Sequence, residues 1–168
     1  MKDRNIFVVS DTHFGHNNFL TFKDNSNNQI RPFASCEEMD DTMIQNWNKT
    51  VRDQDIVYHC GDVFFGQGHE HLWKLKGRLR LVVGNHDDLK DVRLHKRFEK
   101  IMMWRIFKEL NCVLTHVPIH ESNLYKVDYN IHGHIHEKPS PTDRHINVCV
   151  EHHNYTPIAL EELMEKRK

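Results

Sequence analysis

The chain has 168 residues, of which 38% are hydrophobic and 28% charged, and its formal net charge is −1. That length fits one domain, expected over 1–168, with enough apolar residues for a core. No run approaches the ~20 apolar residues of a membrane-spanning helix, and near-neutral charge gives no global pull toward nucleic acid or an anionic membrane.

The start, Met1-Lys2-Asp3-Arg4-Asn5, is expected to run straight into a strand, with no secretory signal. Cys36, Cys60, Cys112 and Cys149 form no Cys-x-x-Cys pair, which argues against a thiolate zinc site or redox motif. Cys60, Cys112 and Cys149 sit in apolar runs and read as buried small hydrophobes, and a reducing cytoplasm is the expected compartment. The unusual count is 15 histidines. His69, His71, His95, His145, His152 and His153 read as scattered surface positions.

In chain order, a strand over 6–9 leads into Ser10-Asp11-Thr12-His13. Residues 14–22 read as a short helix or ordered loop, and the polar 24–29 segment as a mobile rim. Ser35 and Glu38 form a capping box for a helix whose apolar stripe is Met39, Met43, Ile44, Trp47 and Val51. A strand over 56–58 leads into His59-Cys60-Gly61-Asp62. A second helix is expected over 69–76. A strand over 79–83 leads into Gly84-Asn85-His86-Asp87, and a third helix over 89–98 follows. Strands are expected over 101–107, 112–114, 129–131 and 145–150. The third-last of these, 112–114, ends in Thr115-His116, and 129–131 ends in His132-Gly133-His134-Ile135-His136. Residues 137–142 read as a connection. Thr156-Pro157 reads as an N-cap and first helical residue, opening a last helix over 158–165. This order indicates an α/β fold with helices outside a layered sheet.

Candidate metal ligands therefore stand after five successive apolar runs: Asp11 and His13, Asp62, Asn85, His116, and His134 with His136. Ligands at the ends of successive strands converge on one sheet edge. Carboxylates, imidazoles and an amide carbonyl suit borderline divalent ions such as Mn²⁺, Fe²⁺, Ni²⁺ or Zn²⁺. A closed structural zinc site needs four ligands, mostly Cys and His. Seven candidates without cysteine are too many for one ion and about right for two ions sharing a bridge. Two divalent ions with Asp11 and Asp62 would leave the site cationic, which favours a phosphate oxyanion and a hydroxide nucleophile near neutral pH.

The ordered set Asp11-x-His13, Gly61-Asp62, Gly84-Asn85-His86-Asp87, His116 and Gly133-His134-x-His136 resembles the five-block pattern of the calcineurin-like metallophosphoesterases. It spans the chain from Ser10 to His136. The tail, Asn147-Val148-Cys149-Val150 then Tyr155-Thr156-Pro157-Ile158, is similar to that family's last strand and helix. The start through Gly15-His16 resembles a bacterial and phage subgroup of small stand-alone members. The resemblance implies a layered α/β/β/α sandwich, central sheets flanked by helices, without a cap domain. It implies one metal held by Asp11, His13 and His136, a second held by Asn85, His116 and His134, and Asp62 bridging them with a hydroxide that attacks phosphorus in line. His86 would assist the phosphoryl or leaving group. Asp87 would orient His86; the other reading of Asp87 is an exposed turn residue.

Less direct candidates are His16, His120 and His132, as residues behind the ligands or on the substrate rim. His132 is included because strand alternation would turn it to the face of His134 and His136. Arg31 reads either as a phosphate contact or as solvated surface. His59 is expected to pack in the sheet. The implied cofactors are two divalent ions, Mn²⁺ first. The implied substrate is a small phosphate ester such as a nucleotide, a diester favoured by an open site with no evident cationic cluster. Phosphomonoesterase activity, a silent scaffold binding a protein partner, and a nuclease working with accessory proteins are the alternatives. Membrane association is not expected, and oligomeric state is left open.

Overall fold

The computed structural model describes residues 4–167; the expected run-in at 1–3 and the terminal residue 168 lie outside the described residues. Its strands are β1 (Ile6–Val9), β2 (Ile56–His59), β3 (Arg78–Val82), β4 (Lys100–Met102), β5 (Arg105–Phe107), β6 (Cys112–Leu114), β7 (Tyr129–His132), β8 (His145–Asn147) and β9 (Ile158–Ala159). The α-helices are α1 (Cys36–Thr50), α2 (Val92–Arg97) and α3 (Leu160–Glu165).

The strands form two sheets. The five-stranded sheet has the order β4-β3-β2-β1-β9, and the four-stranded sheet the order β5-β6-β7-β8. β1 to β4 are mutually parallel, as are β6, β7 and β8; β9 and β5 run antiparallel at opposite edges. Val8, Tyr58, Val82, Leu114, Ile131 and Ile146 fill the space between the sheets, and Leu160 and Leu163 of α3 close one side of it. The opposite face of the five-stranded sheet offers Phe7, Val9, Val57, Leu79 and Leu81 to the buried stripe of α1. The outer face of the four-stranded sheet is covered by Val113 packing on Leu124 and Val127 from a loop with a short 3₁₀ turn. The protein is thus a mixed α/β layered fold, two parallel-rich sheets flanked by helices.

Ser35 Oγ accepts from the Glu38 N–H at 3.1 Å, as the capping pattern requires. The Glu38 carboxylate reaches back one residue further than expected, to the Ala34 N–H at 2.7 Å. The apolar stripe of α1 is core, with Met39, Met43, Trp47 and Val51 all buried.

Several expected elements take another form. The run 101–107 is two strands, because the chain leaves one sheet at Met102 and enters the other at Arg105, with Met103 and Trp104 exposed between them. The second helix is a 3₁₀ helix, Gly66–Lys74, and 14–22 contains only a 3₁₀ turn, Asn17–Leu20. α2 is shorter than expected and starts after Asp91, whose side chain accepts from the Arg93 N–H. The strand expected over 145–150 stops at Asn147. Thr156-Pro157 leads into β9 rather than a helix; α3 begins only after Ala159. The 24–29 segment is tied down: Asp24 accepts from the Ser26 and Asn28 N–H groups, and Gln29 Nε2 donates to Leu20 O. Among the described residues no helix is long and apolar enough to cross a membrane.

Candidate metal centre

β1, β2 and β3 end side by side in one sheet, and β6 and β7 in the other. The segments after all five ends meet at one edge, joined between the sheets by Ser10 N–H to Val148 O and, within the four-stranded sheet, by Gly133 N–H to His116 O. This edge holds all seven candidate ligands. They fall into two groups.

In the first, His13 Nε2 lies 3.5 Å from Asp11 Oδ1, and His136 Nε2 lies 3.7 Å from that same oxygen. In the second, His116 Nε2 lies 2.8 Å from Asn85 Oδ1 and 3.2 Å from His134 Nδ1. Asp62 Oδ2 belongs to both, 3.7 Å from His13 Nε2 and 3.5 Å from His116 Nε2. Two donors each about 2.1 Å from one ion stand about 3.0–3.4 Å apart. The 3.5–3.7 Å gaps around Asp11 and Asp62 are those of donors that an ion would draw slightly inward, whereas Asn85, His116 and His134 already stand at or within that spacing. Three overlapping clusters of metal-ligating type occur here among the described residues: Asp11-His13-Asp62, Asp62-His116-His134 and Asp11-His136-Cys149.

The hydrogen bonding leaves the right atoms free. Asp11 Oδ2 accepts from Ser10 Oγ at 2.5 Å, the His134 N–H at 2.8 Å and Cys149 Sγ at 3.3 Å. Its Oδ1 is buried with no hydrogen-bond partner, as are both ring nitrogens of His13. Asp62 Oδ1 accepts from the His86 N–H at 2.8 Å, which leaves Oδ2 for the centre. His116 Nδ1 lies 2.7 Å from Cys60 O. A carbonyl only accepts, so Nδ1 carries the proton and Nε2 presents its lone pair to the other donors. Buried acceptors facing one another at Asp11, His13 and Asp62 are costly without a cation between them. Asn85 and His134 complete the donor set from exposed positions, and together these residues fit divalent ions.

The charges agree. Burial raises the Asp11 pKa, but the His13 imidazole 3.5 Å away and the charges of His136 and His116 outweigh it and hold the carboxyl well below its usual range. Burial pushes His13 down to about 4, against the pull of Asp11; a neutral imidazole is the ligand form. For His116 burial also lowers the pKa, but the hydrogen bond to Asp62 and the charges of both carboxylates leave it raised. The pocket attracts positive charge. Cys149 is pushed well above the ordinary thiol range by burial and by Asp11, so it meets Asp11 as an S–H donor and stays the buried small residue its apolar run implied.

Backbone conformation sets these side chains. Asp11, His13, Asp62, His134 and His136 all have positive φ, between 48° and 72°. Left-handed backbone at a non-glycine residue costs about 1–3 kcal/mol, and here it recurs at the ligands. Gly133 permits the approach of two of these segments: a Cβ there would stand 1.9 Å from Ser10 Oγ and 2.2 Å from Asp11 Oδ2.

The other predicted residues are placed differently from one another. His86 is exposed on the loop after β3, its ring 5.8 Å from that of His13 and 5.2 Å from Phe65. Asp87 is neither an exposed turn residue nor engaged with the His86 ring. Its carboxylate accepts from the backbone N–H groups of Asp62, Val63 and Gly84, and so fixes the Asp62 loop. His16 stacks on Phe65 at 4.1 Å, beside His13. His59 packs in the sheet as expected, against Thr12 Oγ1 at 2.9 Å. β7 runs to His132, so strand alternation does not carry beyond it. The buried His132 ring lies on His145, away from solvent, and burial pushes its pKa down to about 4. His145 is accordingly buried and not a surface residue. His120 is exposed and bonded to Ser122.

Arg31 is neither solvated nor aimed at substrate. It is fully buried behind the first ligand loop, donating to Asp11 O at 2.5 Å and Thr12 O at 2.9 Å, with Phe19 beneath its guanidinium. Its ionic partner is Glu151 at 2.7 Å. Glu151 Oε1 also faces His136 Nδ1 at 3.2 Å, the carboxylate–imidazole arrangement that orients a metal ligand. Sequence reasoning missed Glu151: a lone acid 15 positions after His136 carries no local signal. Ser10 was also missed, although it directly precedes Asp11.

No model of a known protein family matches the chain. It is similar to the uncharacterized protein MJ1445 of Methanocaldococcus jannaschii, 36% identical over 183 residues that cover 100% of this chain and 96% of that protein. It is similar over a shorter stretch to the Gene 66 protein of Mycobacterium phage L5, 32% identical over 90 residues, 49% of this chain and 40% of that protein. Among solved structures it is similar to the protein of unknown function AQ665 from Aquifex aeolicus, with a TM-score of 0.77, 27% identity, and 98% of this chain and 100% of that chain covered. A predicted phosphoesterase from Streptococcus pneumoniae overlaps loosely, with a TM-score of 0.36, 14% identity, and 89% and 72% covered; at that score nothing follows about activity. The identity and coverage shared with MJ1445 place the two proteins together: this chain belongs to the family of Methanocaldococcus jannaschii MJ1445.

Proposed function

We propose that the protein is a dinuclear metal-dependent phosphoesterase that hydrolyses phosphate esters, diesters preferentially. The observation that carries this reading is the position of Asp62 Oδ2, within 3.7 Å of one donor group and 3.5 Å of the other. A single carboxylate oxygen shared by two donor sets is the arrangement of a bridged two-ion site.

Asp11, His13 and His136 would hold one ion, and Asn85, His116 and His134 the other. Two such ions, Mn²⁺ in the first instance, supply the nucleophile at neutral pH and neutralise charge on the phosphoryl oxygens. The chain's own residues do the rest. In hydrolysis a water oxygen forms a new bond to phosphorus, the ester P–O bond breaks, and the departing alkoxide takes up a proton. In this reading His86 would deliver that proton. It is exposed at the mouth of the centre, and its backbone is anchored to Asp62. Asp87 serves as a positioning residue, since its three backbone hydrogen bonds fix the loop that carries Asp62. Phe65 and His16 form a stacked wall on the His13 side.

The test compares bis-p-nitrophenyl phosphate with p-nitrophenyl phosphate after metal stripping and Mn²⁺ re-addition. Mn²⁺-dependent turnover of the diester supports the reading. Turnover of the monoester alone would make the protein a phosphomonoesterase. No turnover with Mn²⁺, Fe²⁺, Ni²⁺ or Zn²⁺ would favour a protein-binding scaffold instead.

A further inference from the structure

Next to the centre lies a cleft of about 550 Å³, lined at one side by His134 and His136 and otherwise by residues outside the candidate ligand set. That volume is in the range of small-molecule sites. One wall is the turn that carries His134 and His136. The other is the segment from Phe19 to Ile30.

Three side chains on these walls, Phe22, Lys23 and Lys138, are exposed at the cleft. Lys23 Nζ donates to Asn27 Oδ1 at 3.1 Å, a neutral partner that leaves its charge uncompensated. Phe22 is 41% exposed, yet its ring is fixed by edge contacts with Phe19 at 5.2 Å and His16 at 6.0 Å. An exposed aromatic ring held in orientation, and opening on a cleft, is a stacking platform. Lys23 and Lys138 line the same cleft, with Glu137 as the one carboxylate among its lining residues. The neighbouring Asp24 carboxylate accepts from Ser26 and Asn28 and forms no ion pair with Lys23 among the described residues. The wall is also preformed. Lys23 bridges Gln29, and the Ile30 N–H donates to Phe22 O at 3.0 Å. A ligand therefore meets a built surface rather than a loop it must order.

We propose that this cleft is the substrate's second subsite and that it takes a nucleotide, with the base against Phe22 and further phosphate between Lys23 and Lys138. The inference rests on the reading that His134 and His136 hold metal, which puts the scissile phosphate at the inner end of the cleft. It makes 19–30 the specificity element of the protein.

The test is binding, measured by calorimetry on the Mn²⁺-loaded His86→Ala protein, with ADP, adenosine and pyrophosphate as probes. Mn²⁺ uptake is measured alongside. ADP is expected to bind more tightly than either fragment. Phe22→Ala should weaken ADP roughly 5- to 100-fold and leave pyrophosphate unchanged. Lys23→Ala/Lys138→Ala should weaken both phosphate-bearing probes. All three positions lie on the exposed surface or the cleft wall, so the fold should survive. Normal Mn²⁺ uptake with ADP binding unaltered by either variant would overturn the subsite and leave the metal centre standing. No Mn²⁺ uptake would overturn both.

Discussion

Arg31 and Glu151 stand 120 positions apart in sequence and meet at 2.7 Å, both side chains buried, directly behind the candidate metal centre. The pair joins the loop after β1 to the turn after β8. Arg31 also grips the Asp11 and Thr12 carbonyls, and Glu151 orients His136, so one ion pair supports ligands on both sheets. Removing one partner of a buried pair strands the other charge. Arg31→Met is therefore expected to lower stability by about 3–5 kcal/mol, read from urea unfolding. Glu151→Gln added to it should cost much less than it does alone. Strict additivity in that double-mutant cycle would contradict the coupling.

Among the seven candidate ligands, Asp62 carries the oxygen that faces both donor groups. Asp62→Asn should weaken both metal positions together, whereas His134→Ala should weaken only one. Calorimetric titration of stripped protein with Mn²⁺ distinguishes them. Loss of a single ion in Asp62→Asn would contradict the bridge.

The strand ends, the gathering of the seven candidate ligands at one edge and the capped α1 were legible because each depends on a few neighbouring residues: an apolar run, a Gly-Asp step, a Ser three before a Glu. What was not legible depends on contacts made far along the chain. Arg31 looks like any arginine after a polar loop until Glu151 is folded beside it. The run 101–107 reads as one strand because nothing local marks the passage between two sheets at Met103 and Trp104. Asp87 reads as a partner for its neighbour His86, but the backbone donors of the loop after β2 lie closer. The positive φ of five candidate ligands could not be foreseen either, since even Asp and His adopt that region in only a minority of cases and no local signal marks which do.

Gly133 is held by space rather than by its own chemistry. Gly133→Ala would drive a methyl group into Ser10 and Asp11. It should lower the melting temperature, by a loss of roughly 1–3 kcal/mol, and should weaken Mn²⁺ binding through Asp11. A variant with wild-type melting and wild-type Mn²⁺ affinity would show that the two segments are not so closely packed.

His86 makes no contact that a metal ligand would need. His86→Ala should take up Mn²⁺ like the wild type, while diester turnover falls about 10²–10⁴-fold. Metal analysis and steady-state kinetics on one sample decide it. Loss of metal would make His86 a ligand, and unchanged turnover would remove it from the proton path.

The most direct test of the dinuclear reading follows hydrolysis of bis-p-nitrophenyl phosphate while Mn²⁺ is added stepwise to stripped protein. The account predicts no turnover without metal and a plateau at two equivalents per chain. Turnover that is independent of metal, or complete at one equivalent, would contradict it.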